Sequence, residues 1–451
     1  MVKRILAAFL SGLSLFSLTG CSLPPATVEE LMRAPKLTEE QAAVNHALSA
    51  ALGTDNYQLK YPLSGSYRSA YVFYDVDGDD VQEALVFYQP RLEDSGVRMN
   101  VLDYQNGEWS SIYDVSGEGS GDVDYITFEN IESNEYKNII IGWQPENASE
   151  NLMAIYTFEE NRLNTRFDER YSQFIIRDFD NDGLMDIVTI SMRRNRMTLI
   201  TADPAGRIEA SGTLALSQDI KSIEQMLFGR LSGSGQAIFL DVLLDRSTYA
   251  TEIVSIEKGS LIPLIDLAKT YTQEGEDPTA QQAANFRLTQ RQEPILSTDL
   301  DHDGVIEVPS SRPLLGYEIY DELDGEPMYL TTFSVFKENE LIPVYNACVN
   351  VEAGYLIKIP ERWEDRVTVI SEGNPNQWNF VEYRESLNDL SNELLRINRV
   401  SRNDTQDRFE RNQILLGTSQ GLYRFYGYIP PTQNAELELS EAELREMFVL
   451  L

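Results

Sequence analysis

The sequence predicts a mainly β chain: a β-propeller of five four-stranded blades followed by a small α+β domain. Three observations predict it. An acidic loop recurs at intervals near 50 residues, an apolar run able to form a strand follows each copy, and a hairpin turn follows each run at a similar distance. A period in this range marks stacked or radial units, each too small to bury its own faces.

The clearest loop lies in Phe174 to Ile190, FIIRDFDNDGLMDIVTI. Asp178, Asp180 and Asp182 set carboxylates at every second position, Gly183 permits a positive φ, and Asp186 closes the loop before an apolar strand. Carboxylates gathered this closely repel one another unless a cation sits among them, so the pattern points to a divalent ion with hard oxygen ligands. Asp75, Asp77, Asp79 and Glu83 repeat the series with Asp80 in the place of Gly183. Asp299, Asp301, Asp303 and Glu307 repeat it around Gly304. Two further copies keep the frame and lose ligands: Asn130, Glu132, Asn134 and Asn138 in one, Arg230, Ser232, Ser234 and Ile238 in the other. Neither is expected to bind. The equivalent positions 80, 135, 183, 235 and 304 give steps of 55, 48, 52 and 69 residues.

The second signal keeps phase with the first. Apolar runs begin at Ala84, Ile139, Ile187 and Phe239, and a weaker one at Val308 is interrupted by Pro309. Alternating strands then flank turns at Asn106-Gly107, Asn161, Gly206, Gly259 and Asn339, residue types that tolerate φ > 0. Strand, loop, strand and hairpin supply four antiparallel strands per unit, as in a propeller blade. Six or seven blades follow only if unphased segments such as 263–284 add strands. The long last step is ascribed instead to a polar insertion, Tyr271 to Ala280.

These loops resemble the calcium loop of FG-GAP/VCBS repeats, as in the integrin α-subunit β-propeller. The resemblance implies structural Ca²⁺ at Asp178, Asp180, Asp182 and Asp186 with the Leu184 carbonyl as a further ligand. It implies the same at Asp299, Asp301, Asp303 and Glu307 with Val305 at the matching place, and at Asp75, Asp77, Asp79 and Glu83. An acidic surface turn without metal is the alternative.

Residues 1–20 read as an export signal, with Lys3 and Arg4 before an apolar stretch from Ile5 to Phe16. Leu18-Thr19-Gly20-Cys21 resembles a bacterial lipobox, which implies cleavage before Cys21, lipidation of its thiol and anchoring at the extracytoplasmic face of the cell membrane. An ordinary secretory signal with an incidental cysteine is the alternative. Residues 21–37 read as a Pro-containing tether. Residues 38–53 read as a helix with a Thr38/Gln41 capping box and Gly53 at its end, its apolar face made by Ala42, Ala43, Ala47, Leu48, Ala51 and Leu52. The propeller is assigned to 54–350 and the α+β domain to 351–451. In the latter, Leu387, Leu390, Leu394 and Ile397 have helical spacing, and Ser440 caps a final helix through Leu444, Phe448 and Leu451. Trp363 and Trp378 read as core aromatics, with a ligand-stacking face as the alternative.

Composition limits function. A net charge of −35, from 37 basic and 72 acidic residues, disfavours nucleic acid and anionic lipid headgroups as partners. Of two cysteines, Cys21 and Cys348, lipidation of the first leaves no intrachain disulfide, and Cys348 alternates like a core strand residue. The sequence carries no G-x-S-x-G, P-loop or H-E-x-x-H motif and only two histidines, His46 on the predicted helix and His302 at a non-ligand loop position. Function therefore reads first as a binding or scaffold module for a protein or glycan, not an enzyme. The alternatives are a polysaccharide-active hydrolase or lyase framed by the propeller, and a purely structural envelope component. FG-GAP-like propellers occur in both adhesive proteins and polysaccharide-active enzymes.

Overall fold

Among the described residues, six antiparallel sheets follow one another along the chain. The structure, a computed structural model, describes residues 37–91, 96–117, 119–268, 279–318, 327–371, 374, 376–387, 391–402, 412–419, 421–432 and 434–451. The export signal, Cys21, the tether before residue 37 and residues 271–278 of the insertion lie outside them.

Helix α1 (Glu39–Leu52) precedes the first sheet, which holds β1 (Tyr57–Leu59), β2 (Tyr71–Tyr74), β3 (Glu83–Pro90), β4 (Arg98–Gln105) and β5 (Glu108–Ser116). Strands β1 and β2 pair with successive stretches of β3, so together they fill one strand position. The second sheet runs β6 (Ser120–Glu129), β7 (Asn138–Pro145), β8 (Asn151–Glu159), β9 (Arg162–Tyr171). The third runs β10 (Gln173–Arg177), β11 (Asp186–Ser191), β12 (Arg196–Ala202), β13 (Ile208–Ala215). The fourth runs β14 (Ser222–Arg230), β15 (Gln236–Leu243), β16 (Tyr249–Glu257), β17 (Ser260–Ile265). Helix α2 (Ala280–Arg287) leads to the fifth, with β18 (Glu307–Pro313), β19 (Tyr329–Lys337), β20 (Glu340–Asn350) and β21 (Tyr355–Ile359). The sixth sheet has the order β22 (Val367–Ile370), β23 (Gln377–Glu382), β24 (Glu393–Ser401), β26 (Tyr423–Tyr428), β25 (Ile414–Ser419). Helix α3 (Glu441–Met447) and β27 (Phe448–Leu450) end the chain, and β27 returns to pair with β21 of the fifth sheet.

The five repeated units therefore correspond to five sheets: in the first four each loop lies between the first two strand positions, and in the fifth it directly precedes the edge strand β18, spanned by the single Thr298–Glu307 bridge. The hairpins explain the spacing. Four of them turn through two residues, at 106–107, 160–161, 258–259 and 338–339, and all eight residues have positive φ. That geometry matches the right-handed twist of paired strands and is what Asn and Gly select at these positions. About five residues before each turn the ladder slips by one residue, between Val101 and Leu102, Ile155 and Tyr156, Leu199 and Ile200, Ile253 and Val254, and Phe333 and Ser334. Such a bulge adds local twist, and its repetition gives each sheet the same twist increment.

Consecutive sheets pack face to face because their second strands alternate between two apolar faces. Leu85 and Phe87 of β3 meet Ile139 and Ile141 of β7, whereas Ile140 faces the third sheet at Ile187 and Ile200. Val188 and Ile190 meet Ile238 and Leu240, and Phe239 on the opposite face meets Val308 and Phe336 of the fifth sheet. The remaining face of the first sheet, Ala84, Val86, Tyr88 and Leu102, is covered by Val44 and Leu48 of α1. A closed ring would set the fifth sheet against that face; here a helix occupies it.

Several expectations need correction. The capping box at Thr38 and the left-handed Gly53 are present, but Ala42 and Ala43 of α1 are exposed and Val44 is buried, so the packed face is rotated. Pro309 sits within β18, at the edge of its sheet, where a missing N–H costs no ladder bond. Leu394 and Ile397 belong to strand β24, not a helix. A bulge pairs Phe380 with Leu395 and Val381 with Glu393, which leaves Leu394 as the extra residue and turns it inward beside Leu395. Two inward neighbours followed by Ile397 imitate helical spacing. The final helix stops at Met447, and Phe448 opens a strand. Strands β21 and β27, both after residue 350, extend the fifth sheet. Trp363 and Trp378 are core residues with Phe380 and Phe425, and Cys348 is a buried free thiol.

Candidate metal centres

In two of the three loops a strand ends one residue before the first aspartate, at Tyr74 and Arg177, and in the third the bridging Thr298 precedes Asp299. In all three the next strand begins on a buried acid, Glu83, Asp186 or Glu307. Asp75, Asp77 and Glu83 bring one carboxylate oxygen each to within 4.8 Å of one another; Asp178, Asp180 and Asp186 do the same, as do Asp299, Asp301 and Asp303. The backbone of each loop is wound around its own acids. Asp178 accepts from the N–H of Asp182 (3.2 Å) and Gly183 (3.0 Å), Asp182 from Leu184 (2.7 Å), and Asp186 from Phe179 (3.1 Å). In the first loop Asp75 accepts from Gly78 (2.7 Å) and Asp80 (3.0 Å), Asp79 from Val81 (2.8 Å), and Glu83 from Val76 (2.8 Å). In the last, Asp299 accepts from Gly304 (2.9 Å), Asp303 from Val305 (2.7 Å), and Glu307 from Leu300 (2.8 Å). Two left-handed residues bend every loop: Gly78 and Asp80, Asn181 and Gly183, His302 and Gly304. The first loop thus moves its glycine two residues earlier and places Asp80 at φ 68°, and exposed His302 takes a turn position away from the acids.

Of the residues singled out from sequence, Asp79, Asp182 and Glu307 stand beside these three-carboxylate groups, bonded to loop N–H groups as above. Leu184 and Val305 have their N–H groups fixed by Asp182 and Asp303. Buried Glu83 Oε1 and Asp299 Oδ1 have no hydrogen-bond partner. A buried carboxylate oxygen without a donor is costly unless a cation supplies the missing contact, and the ligand set is all oxygen, so the residues fit Ca²⁺. Burial first, then the neighbouring aspartates, push Glu83, Asp186 and Glu307 up to about 7. Sequence reasoning missed Asp103, a buried strand residue whose charge also bears on Glu83 and Asp77; nothing in its β4 pattern marks it.

The degenerate loops are completed by protein groups. Asn138 Oδ1 accepts from the N–H groups of Ile131 and Glu132 (both 3.2 Å), as the closing acids do elsewhere. Its amide donates to Glu132 Oε2 at 2.7 Å, and Arg166 from the adjacent hairpin donates to Glu132 Oε1 at 2.6 Å. A guanidinium on a carboxyl 1% exposed supplies the positive charge that a metal would bring. The fourth loop closes on itself, with the Leu231 N–H on the Gly235 carbonyl at 3.1 Å.

Loops of adjacent sheets are tied together. The Met185 N–H donates to the Asn130 carbonyl at 2.7 Å, and the Ile306 N–H to the Arg230 carbonyl at 3.1 Å. Acidic loops thus alternate with degenerate ones along the series, and those of the third and fifth sheets are each bonded to the loop of the sheet before.

No family model matches the chain, and no curated protein matches it. Solved structures with partial similarity include a candidate 6-phosphogluconolactonase from Bacteroides uniformis, 14% identical over 73% of this chain and 92% of that one, with a TM-score of 0.28. A rhamnogalacturonan lyase from Bacillus licheniformis is 12% identical over 63% and 69%, with a TM-score of 0.27. A Lactobacillus plantarum protein is 9% identical over 71% and 82%, with a TM-score of 0.28. At these TM-scores the superpositions are partial, and the fold rests on the sheets described above. No helix among the described residues is long and apolar enough to cross a membrane.

Proposed function

We propose that this chain is an extracytoplasmic protein, lipid-anchored at Cys21, whose series of blade-like sheets is stiffened by calcium and serves as a binding or scaffold module for a protein or glycan. The observation that carries the calcium reading is the repetition of one loop geometry in three sheets, with partnerless buried oxygens at Glu83 and Asp299. Calcium is structural here: the loops brace sheet against sheet, and no catalytic role is assigned to the ions. Asp180→Ala tests the reading at one site. With Kd about 10⁻⁴ M and calcium about 1 mM, one filled site contributes about 1.4 kcal/mol. Calorimetry should show a lower Tm for the variant in calcium and a smaller calcium-dependent shift. Equal shifts for both proteins would remove the site from the reading.

The anchor rests on the lipobox-like sequence before Cys21 and is tested by location. Cys21→Ser should appear in the medium or remain as uncleaved precursor. A variant processed normally and found with membranes like the parent would show that Cys21 carries no anchor.

A further inference from the structure

A cleft of about 630 Å³ opens where the fifth sheet meets the sixth. Pro294, Met328, Val349 and Trp378 give it apolar walls, and Glu293 and Glu352 are its acids. Trp378, only 7% exposed, closes one wall and is not a platform on which a sugar ring could stack. Its described lining contains no Lys, Arg or His. The two acids differ. Glu352 is 73% exposed at the rim, with Arg399 3.7 Å away. Glu293 lies within, and its buried Oε2 has no hydrogen-bond partner.

A carboxyl in apolar surroundings without a donor has two ways to lower its energy: hold a proton, or acquire a cation. We propose that this cleft binds a primary ammonium group carried on a short apolar body, with Glu293 as its counter-ion. The walls take the apolar body, Glu293 takes the charged end, and the acidic molecule as a whole attracts cations to the mouth. Around Glu293 stand the Tyr329 hydroxyl and the Cys348 thiol, both neutral near pH 7, and Glu352 and Arg399 at the rim. Burial pushes the Glu293 carboxyl up to about 8, so at pH 7 the empty cleft keeps it protonated. Binding then replaces the O–H bond by an ion pair: the ammonium ion keeps its three N–H bonds, Glu293 becomes a carboxylate, and one proton passes to the buffer. The inference does not depend on the calcium reading.

Calorimetric titration of the full chain with n-butylammonium chloride, in saturating calcium and about 0.3 M salt to screen the acidic surface, tests it. The same titration in two buffers of different ionisation enthalpy counts protons. One site per chain is expected, with close to one proton released at pH 7. Glu293→Gln, which keeps the shape, should weaken binding about tenfold or more, while Glu352→Gln should leave it within about threefold. Nα-acetyl-lysine amide binding as tightly as butylammonium identifies the ligand as a lysine side chain; binding by butylammonium alone identifies a free amine. Absence of saturable heat, equal binding by n-butanol, binding without proton release, or undiminished binding by a folded Glu293→Gln variant overturns the proposal.

Discussion

Arg291→Ala is expected to destabilise the protein by about 3–5 kcal/mol, the cost of leaving a buried charge without its partner. Arg291 and Asp241 are both 0% exposed and 2.7 Å apart. The guanidinium also donates to Thr251 Oγ1 (3.0 Å), the Thr289 carbonyl (2.9 Å) and the Ile295 carbonyl. Asp241 further accepts from Thr251 Oγ1 (2.6 Å) and from the N–H and hydroxyl of Ser297 (both 2.8 Å). The pair fastens the segment after α2 to β15 and β16, and so holds the connection between the fourth and fifth sheets in place. Removal of the cation leaves the three donors of Thr251 and Ser297 arranged around an anion with no counter-charge. Arg291→Met combined with Asp241→Leu should recover most of the loss, because an apolar pair leaves no buried charge. Calorimetric Tm values for the single and double variants decide this. A loss below about 1 kcal/mol for Arg291→Ala would mean that solvent reaches Asp241.

Calcium removal should have a comparable effect, about 4 kcal/mol if three sites each contribute about 1.4 kcal/mol, and the effect should depend on pH. In calcium-free protein the folded state holds Glu83, Asp186 and Glu307 at about 7, above their unfolded values. Between about pH 4.5 and 7 the folded chain therefore binds more protons than the unfolded one, and these three groups lose stabilising effect as pH rises. Calcium needs the same carboxyls ionised, so its binding strengthens through that window. The gap in Tm between calcium-loaded and chelated protein should widen from pH 5 to pH 7.5. A gap that narrows would mean that the closing acids do not face the ion.

The sheets were legible because two independent sequence signals, the loop and the hairpin, shared one period. Asn106-Gly107, Asn161, Gly259 and Asn339 each mark a position where the chain needs φ > 0, and that need is written in residue type. The acidic loops were legible for a similar reason: alternate carboxylates converge by local geometry alone. What depended on partners distant in sequence was hidden. Arg166 lies 34 residues from Glu132, and nothing in RLNTRF distinguishes it from a surface arginine. The bulge at Leu394 was invisible because register is set by β23, not by β24 itself. Closure into a ring also could not be read, since period fixes the unit but not what lies against the last free face.

That last free face carries a consequence for solubility. Sheets that stack through matched apolar faces have no intrinsic stop, and an uncovered Ala84, Val86, Tyr88 and Leu102 surface would offer a second molecule the same kind of contact that Leu85 and Phe87 make within one. Helix α1 terminates the stack as a lid terminates a column. It does so with small means, Val44 and Leu48 inward and Asn45 accepting from the hydroxyls of Tyr57 (2.9 Å) and Tyr71 (2.8 Å). Its outward surface carries Glu39, Glu40 and His46 among small alanines, Ala42, Ala43, Ala50 and Ala51, and none of its large apolar side chains is exposed there. Fourteen residues of helix thereby cover the face on which a further sheet would otherwise stack.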